Sequence, residues 1–128
     1  MLNLGETYTL TEKVTPENVA AAMASGTLPV YATPAMILLI ERTCMELAAP
    51  HLEAGFSTVG TKLDIEHLSA TPISMTVRAE CTLREIDRRR LVFSCQVYDD
   101  AGLIGKGTHE RFIVANEKFL AKTAEKLS

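Results

Sequence analysis

The sequence predicts an α+β fold in which a curved antiparallel sheet wraps around one central helix. Three observations lead to this prediction. The segment "TPAMILLIERTCMELAAP" is apolar on most sides of a helix, so it needs to be buried. About four long segments follow it in which apolar and polar residues alternate, as they do in half-buried strands. A sheet laid over the helix would bury both sets of apolar side chains in one core.

The elements that precede the central helix are short. Residues 6–13, "ETYTLTEK", alternate apolar and polar side chains and predict a strand. The segment "TPENVAAAMASG" offers Thr15 as an N-cap, Pro16 at the first helical position and Gly26 as a stop. These three signals predict a short helix.

The central helix is predicted from Pro34 to about Ala49, with Thr33 as its N-cap. It carries one charge among apolar neighbours. The residues three, four and seven positions from Glu41, which share its face of the helix, are all apolar. A carboxylate at such a position calls for a functional explanation, because burying a charge is costly.

After the helix, apolar residues recur at every second position instead of every third or fourth, which predicts strands. In "STVGTKLDIEHL", Val59, Leu63, Ile65 and His67 are expected on one face. The segments "ISMTVRAECTLREI", "RLVFSCQVYD" and "GLIGKGTHERFIVA" predict three more strands, joined by turns at "IDRRR" and "DDAG". The tail, "EKFLAKTAEKL", predicts a short polar helix or a frayed end. This arrangement is the hotdog fold, whose free sheet edges commonly pair with a second subunit, so a homodimer is expected.

Composition excludes several classes of protein. The 128 residues suit one domain, residues 1–128, and the 47% apolar and 23% charged residues are ordinary for a globular protein. The net charge of −3 gives no reason to expect nucleic acid or an anionic membrane as partner. The N-terminus lacks the pattern of a signal peptide, and the three cysteines form no CxxC, so reduced thiols and a cytoplasmic location are expected. Nothing in the sequence implies a metal.

Two polar residues are expected on the inner faces of the fold. Glu41 would point from the helix toward the sheet, and His67 would point from its strand toward the helix. A carboxylate and an imidazole on opposing buried faces suggest acid–base chemistry. The alternatives are a carboxylate at the helix edge and a strand-end histidine bonded to the backbone.

The segments "VYATPAMILLIERTCMELAAPHL", "VGTKLDIEHLSATP" and "GTHERFIV" resemble the fluoroacetyl-CoA thioesterase-like branch of the hotdog thioesterases. The resemblance covers most of the chain, from about Val30 to Lys122. It implies hydrolysis of an acyl-CoA thioester to a carboxylic acid and free coenzyme A, with Thr33, Glu41 and His67 as the catalytic set. It also implies that Gly60 offers its backbone N–H to the thioester carbonyl.

The resemblance makes Arg111, in "GTHER", a further candidate for substrate binding, and it implies no cofactor beyond the coenzyme A of the substrate. Fluoroacetyl-specific members carry phenylalanines before the catalytic threonine, whereas this chain has "ASGTLPVY", with only Tyr31. The run "ATPISM" also lacks the glycine that often follows "ATP" in that branch. The resemblance therefore predicts an acyl-CoA thioesterase without identifying the acyl group.

Two other functions stay open, an acyl-CoA hydratase or dehydratase of the same fold and a non-catalytic acyl-CoA-binding module.

One geometric question also stays open. Thr33 and Glu41 are eight residues apart, which is about 12 Å along a helix and too far for a direct contact. Either the helix begins later than Pro34, or Thr33 meets Glu41 of a partner subunit.

The run Arg88-Arg89-Arg90 is expected at a hairpin tip, either solvated or holding the phosphates of coenzyme A.

Overall fold

The computed structural model describes all 128 residues and has a five-stranded antiparallel sheet with one long helix across it. In chain order the elements are β1 (Thr7–Lys13), α1 (Thr33–Ala48), β2 (Phe56–His67), β3 (Thr76–Asp87), β4 (Arg90–Asp99), β5 (Gly102–Ala115) and α2 (Asn116–Ala124), with 3-10 turns at Ala49–His51 and Glu125–Leu127. The strand order is β1-β3-β4-β5-β2, which leaves β1 and β2 at the edges. This is the predicted α+β hotdog fold. Neither helix is long and apolar enough to cross a bilayer.

The core lies between α1 and the inner face of the sheet. The buried apolar residues of α1 are Ala35, Met36, Leu39, Ile40, Cys44, Leu47 and Ala48. Those of β3 and β4 alternate along each strand: Val77, Ala79, Cys81, Leu83, Leu91, Phe93, Cys95 and Val97. The alternation confirms the period of two on which these strands were predicted. The interlocked side chains fix the rotation of α1 over the sheet.

The short helix predicted from Thr15 to Gly26 is wrong, because the segment forms turns instead. Several of its backbone groups pair with the segment from Leu28 to Ala32, while others bond within local turns. The N–H of Ala20 donates to the carbonyl of Val30, and the N–H of Ala32 donates to the carbonyl of Asn18. Tertiary pairing has overridden the local capping signals, which are weak compared with a set of long-range hydrogen bonds.

The start of α1 also differs from the prediction. Ala32 occupies the N-cap, and Thr33 is the first helical residue, one position earlier than expected. No side chain caps the helix, because the N-cap residue is an alanine, and the Thr33 hydroxyl is hydrogen-bonded to His67. The helix ends at Ala48, close to the predicted end.

A β-bulge changes which residues of β2 face the helix. The pairing of β2 with β5 shifts register between Gly60 and Lys62, which leaves Thr61 as the extra residue. Gly60 therefore faces α1, as His67 does, and Val59 faces the opposite side of the sheet. The prediction that Val59 shares the face of His67 is wrong, because strict alternation is broken at the bulge.

The three cysteines provide a test of the core. Cys44, Cys81 and Cys95 are buried and free, and their sulfur atoms lie within 4.8 Å of one another. Burial raises the pKa of the Cys44 thiol, because an apolar core disfavours the thiolate. We expect none of the three to react with an aromatic disulfide reagent in the native protein, and all three to react after denaturation, as measured by absorbance. Rapid reaction of the native protein would contradict this core.

Candidate active site

The first of two polar clusters joins the start of α1 to the end of β2. The Thr33 hydroxyl and Nδ1 of His67 share a hydrogen bond of 2.8 Å. His67 pairs across the ladder with Gly105 of β5. A Cβ atom on Gly105 would lie 2.6 Å from the sulfur of Met36, so the missing side chain leaves room for the first turn of α1 to approach the sheet. This close approach brings Thr33 within reach of His67.

His67 is held in a form suited to proton transfer. Its Nε2 atom is buried and has no hydrogen-bond partner within the subunit. Burial lowers the pKa of His67, although a backbone hydrogen bond with Ser69 opposes part of the change. The imidazole is therefore neutral at neutral pH and can accept a proton.

The second cluster surrounds Gly60. A Cβ atom on Gly60 would lie 3.1 Å from Oε2 of Glu41, 3.3 Å from Nη1 of Arg111 and 3.3 Å from Cε1 of His109. Three polar side chains thus converge on the one inner position of β2 that has no side chain. Glu41 is half-buried, and it has no charged partner within 4 Å in the subunit.

Arg111 and His109 form a fixed support next to Glu41. Arg111 is 6% exposed and donates hydrogen bonds to the Thr58 hydroxyl (2.8 Å), the Thr58 carbonyl (3.0 Å) and Nε2 of His109 (3.1 Å). His109 donates from Nδ1 to the carbonyl of Lys62 at 2.8 Å, so Nδ1 carries the proton and Nε2 is the acceptor. Burial lowers the pKa of both His109 and Arg111.

Sequence reasoning gave His109 no role and offered Arg111 only for substrate binding. The structure places both beside the carboxylate of Glu41, whose negative charge favours the cationic form of Arg111. A signal was present in the sequence. The two residues are polar and two positions apart on a face of β5 whose other residues are Gly105, Gly107 and Ile113.

The two clusters are separated within one subunit. Because α1 begins at Thr33, the eight residues to Glu41 span about 12 Å along the helix axis. Gly60 and His67 are seven residues apart on β2, or roughly 20 Å. The structure therefore excludes a later start of α1, the first of the two explanations left open by the sequence.

A cavity opens beside the first cluster. It has a volume of about 280 Å³ and is lined by Thr33, His67, Ala20, Ser25, Val30, Tyr31, Leu68, Ser69 and Ala70. No charged side chain lines it, apart from His67 when protonated. A small molecule in this cavity would contact both Thr33 and His67.

The lowered pKa values of His67 and His109 predict how stability depends on pH. The unfolded chain binds protons at the ordinary histidine pKa of 6.5, whereas the folded chain binds them only at lower pH. The contribution of the two histidines to the free energy of unfolding is therefore fully present above pH 6.5. It is lost as the pH falls from 6.5 toward their lower pKa values in the folded state. We expect the melting temperature to fall across this window, and His109→Gln to weaken the dependence. An identical dependence in parent and variant would contradict the assignment.

Comparison with known proteins identifies relatives of this chain. The model of the fluoroacetyl-CoA-specific thioesterase family matches residues 14–117. The chain is 40% identical over 97 residues to a fluoroacetyl-CoA thioesterase of Streptantibioticus cattleyicolor, covering 76% of this chain and 70% of the relative.

Solved structures agree with this match. A fluoroacetyl-CoA thioesterase superimposes with a TM-score of 0.93 at 33% identity, covering 98% of each chain. A thioesterase superfamily member from Thermus thermophilus superimposes with a TM-score of 0.89 at 27% identity, covering 96% of this chain and 91% of that one. The chain therefore belongs to the fluoroacetyl-CoA-specific thioesterase family, whose members are hotdog-fold thioester hydrolases.

Proposed function

We propose that this thioesterase is a homodimer that hydrolyses acyl-CoA at two equivalent sites, each combining Thr33 and His67 of one subunit with Glu41 of the other. The observation that carries the proposal is the separation of the two clusters within one subunit. A site that needs all three side chains is complete only when a second copy supplies the missing part. A solved structure of a related thioesterase variant, in complex with fluoroacetate and CoA, supports an acyl-CoA as the substrate.

Strand β2 is the element best suited to pair the two subunits. It is a twelve-residue edge strand, and an unpaired edge is a template for another strand. Gly60 and His67 lie on its inner face, on either side of Leu63. Antiparallel pairing with a second β2, about a two-fold axis near Leu63, puts Gly60 beside the partner's His67. Glu41, which lies over Gly60, then reaches the first cluster of the other subunit.

Exposed apolar side chains support the same interface. Leu38 and Met45, which flank Glu41 on α1, are 53% and 41% exposed in the single subunit. Leu63, near the middle of β2, is 42% exposed although it lies on the inner face. A partner that pairs through β2 would cover these side chains and remove apolar surface from water. It would also desolvate Glu41, as the sequence led us to expect.

The reaction then follows from the positions of the groups. The backbone N–H of Gly60 polarises the thioester carbonyl as an oxyanion donor. Glu41 either takes the proton of a water that attacks the carbonyl carbon, or attacks that carbon itself to form a mixed anhydride that water then hydrolyses to the carboxylic acid. In either version His67, held by Thr33, receives the proton that came from the water and passes it to the sulfur of the released coenzyme A. Arg111 places a positive charge beside the Glu41 carboxylate, on the side where Gly60 leaves space.

Release of free coenzyme A separates this function from the two alternatives of the same fold. A hydratase or dehydratase leaves the thioester intact, and a binding module releases no thiol from any acyl-CoA. Because the protein's own cysteines are buried, a thiol reagent would report the coenzyme A that the enzyme releases.

The variant Glu41→Gln tests the carboxylate. The change keeps the shape of the side chain but removes its ability to act as a base or nucleophile, so turnover should fall by about a hundredfold or more. The melting temperature should stay close to that of the parent, because Glu41 has no ion pair in the subunit. Glu46→Gln is the matched control, since Glu46 lies on α1 but pairs with Arg42. Retained turnover with a lowered melting temperature would make Glu41 a structural residue.

Mixed dimers test whether the site is shared between subunits. In a dimer of one Glu41→Gln chain and one His67→Ala chain, one site carries both changes and the other carries neither. Random association makes half of the dimers mixed, so refolding equal amounts together should restore about a quarter of the parental turnover. Each variant refolded alone should stay inactive.

The mass of the refolded protein is the control for this experiment. Light scattering should give twice the chain mass for the parent, for both variants and for the mixture. Activity that stays at the level of the separate variants, while the mixture is dimeric, would locate each site within one subunit. A monomeric parent that is fully active would rule out the shared site.

A further inference from the structure

We propose that the cavity beside Thr33 and His67 holds the acyl chain of the substrate, and that it selects uncharged acyl groups of about four to eight carbons. This inference rests on the proposed function, because it assigns the acyl group of the same site. An enzyme with this cavity would prefer such acyl groups to the two-carbon acetyl group.

The size of the cavity sets the length of the chain. Its volume of about 280 Å³ lies near the lower end of the range of small-molecule pockets, about 300–1,000 Å³. This is room for several methylene groups, each of which takes up about as much space as one water molecule. A two-carbon acyl group would leave most of the cavity filled with water, whereas a longer chain would displace that water and bury apolar surface.

The lining of the cavity favours an acyl chain that carries no charge. Five of its nine lining residues are hydrophobic, and the hydroxyls of Ser25 and Ser69 add polarity without charge. Tyr31 offers no free hydroxyl, because it donates to a carboxylate oxygen of Glu12 at 2.5 Å. A terminal carboxylate on the acyl chain would therefore lose water without gaining a cation, and the Glu12 carboxylate behind Tyr31 would repel it.

The walls of the cavity are held in place by backbone hydrogen bonds. The N–H of Ala21 donates to the carbonyl of Leu28, and the N–H of Tyr31 donates to the carbonyl of Thr71. A bridge between Val30 and Pro72 ties the same segment to the connection after β2. The cavity is therefore formed before the substrate binds, as is usual for small-molecule sites.

A panel of substrates tests the inference. The parent enzyme is assayed for coenzyme A release with acetyl-, butyryl-, hexanoyl- and succinyl-CoA. Each added methylene should raise kcat/KM by about two- to fourfold up to hexanoyl-CoA. Succinyl-CoA should be at least about tenfold poorer than butyryl-CoA, which has the same number of carbons. Highest activity with acetyl-CoA, or equal activity with succinyl- and butyryl-CoA, would overturn this inference. Release of coenzyme A from none of the four would overturn the proposed function instead.

A variant that fills the cavity tests whether the cavity determines the preference for longer acyl groups. Ala70 is exposed, so Ala70→Phe should fold, and its ring should lower the ratio of kcat/KM for hexanoyl-CoA to that for acetyl-CoA by at least about tenfold. The matched control is Leu28→Phe, because Leu28 is 63% exposed and does not line the cavity. Ser25→Phe fills the cavity from another side and replaces Ala70→Phe if that variant melts early. An unchanged ratio in a folded cavity-filling variant would overturn the inference.

Discussion

Burial of α1 against the inner face of the sheet is the constraint on which both polar clusters depend. The apolar side of the helix fixes its rotation, and the missing side chain of Gly105 lets its first turn approach the sheet. The same helix therefore presents Thr33 to one end of β2 and Glu41 to the other. Because helix and strand are both rigid, the two ends cannot meet within one subunit. The fold itself thus favours a site completed by a second copy.

Much of the architecture could be predicted from the sequence, because burial imposes a period that is visible in the residues. The alternation in β3 and β4 gave the strands and the hairpin at Arg88–Arg90, and the family pattern gave Thr33 and His67, which do make contact. The helix from Thr15 to Gly26 failed because its capping signals are weak, and several backbone groups there bond instead to the segment from Leu28 to Ala32.

The surroundings of Glu41 were harder to predict. A β-bulge leaves no periodic signal, so alternation placed Val59 on the inner face, where the structure has Gly60. Alternation alone makes His109 and Arg111 ordinary polar residues of a strand, and only the resemblance made Arg111 a candidate for substrate binding. Their position beside Glu41 depends on how the helix packs on the sheet. Whether Glu41 of one subunit meets His67 of another depends on an interface, and the pattern of a single chain describes only the surfaces that form it.

The buried cysteines have a consequence for an enzyme that liberates a thiol in every turnover. Coenzyme A that becomes oxidised can attach to proteins as a mixed disulfide, but only where a thiolate is accessible. Cys44, Cys81 and Cys95 are enclosed by α1, β3 and β4, and burial keeps Cys44 protonated. Its own product, even when oxidised, therefore has no cysteine to modify, and the enzyme resists this form of inactivation for as long as it stays folded.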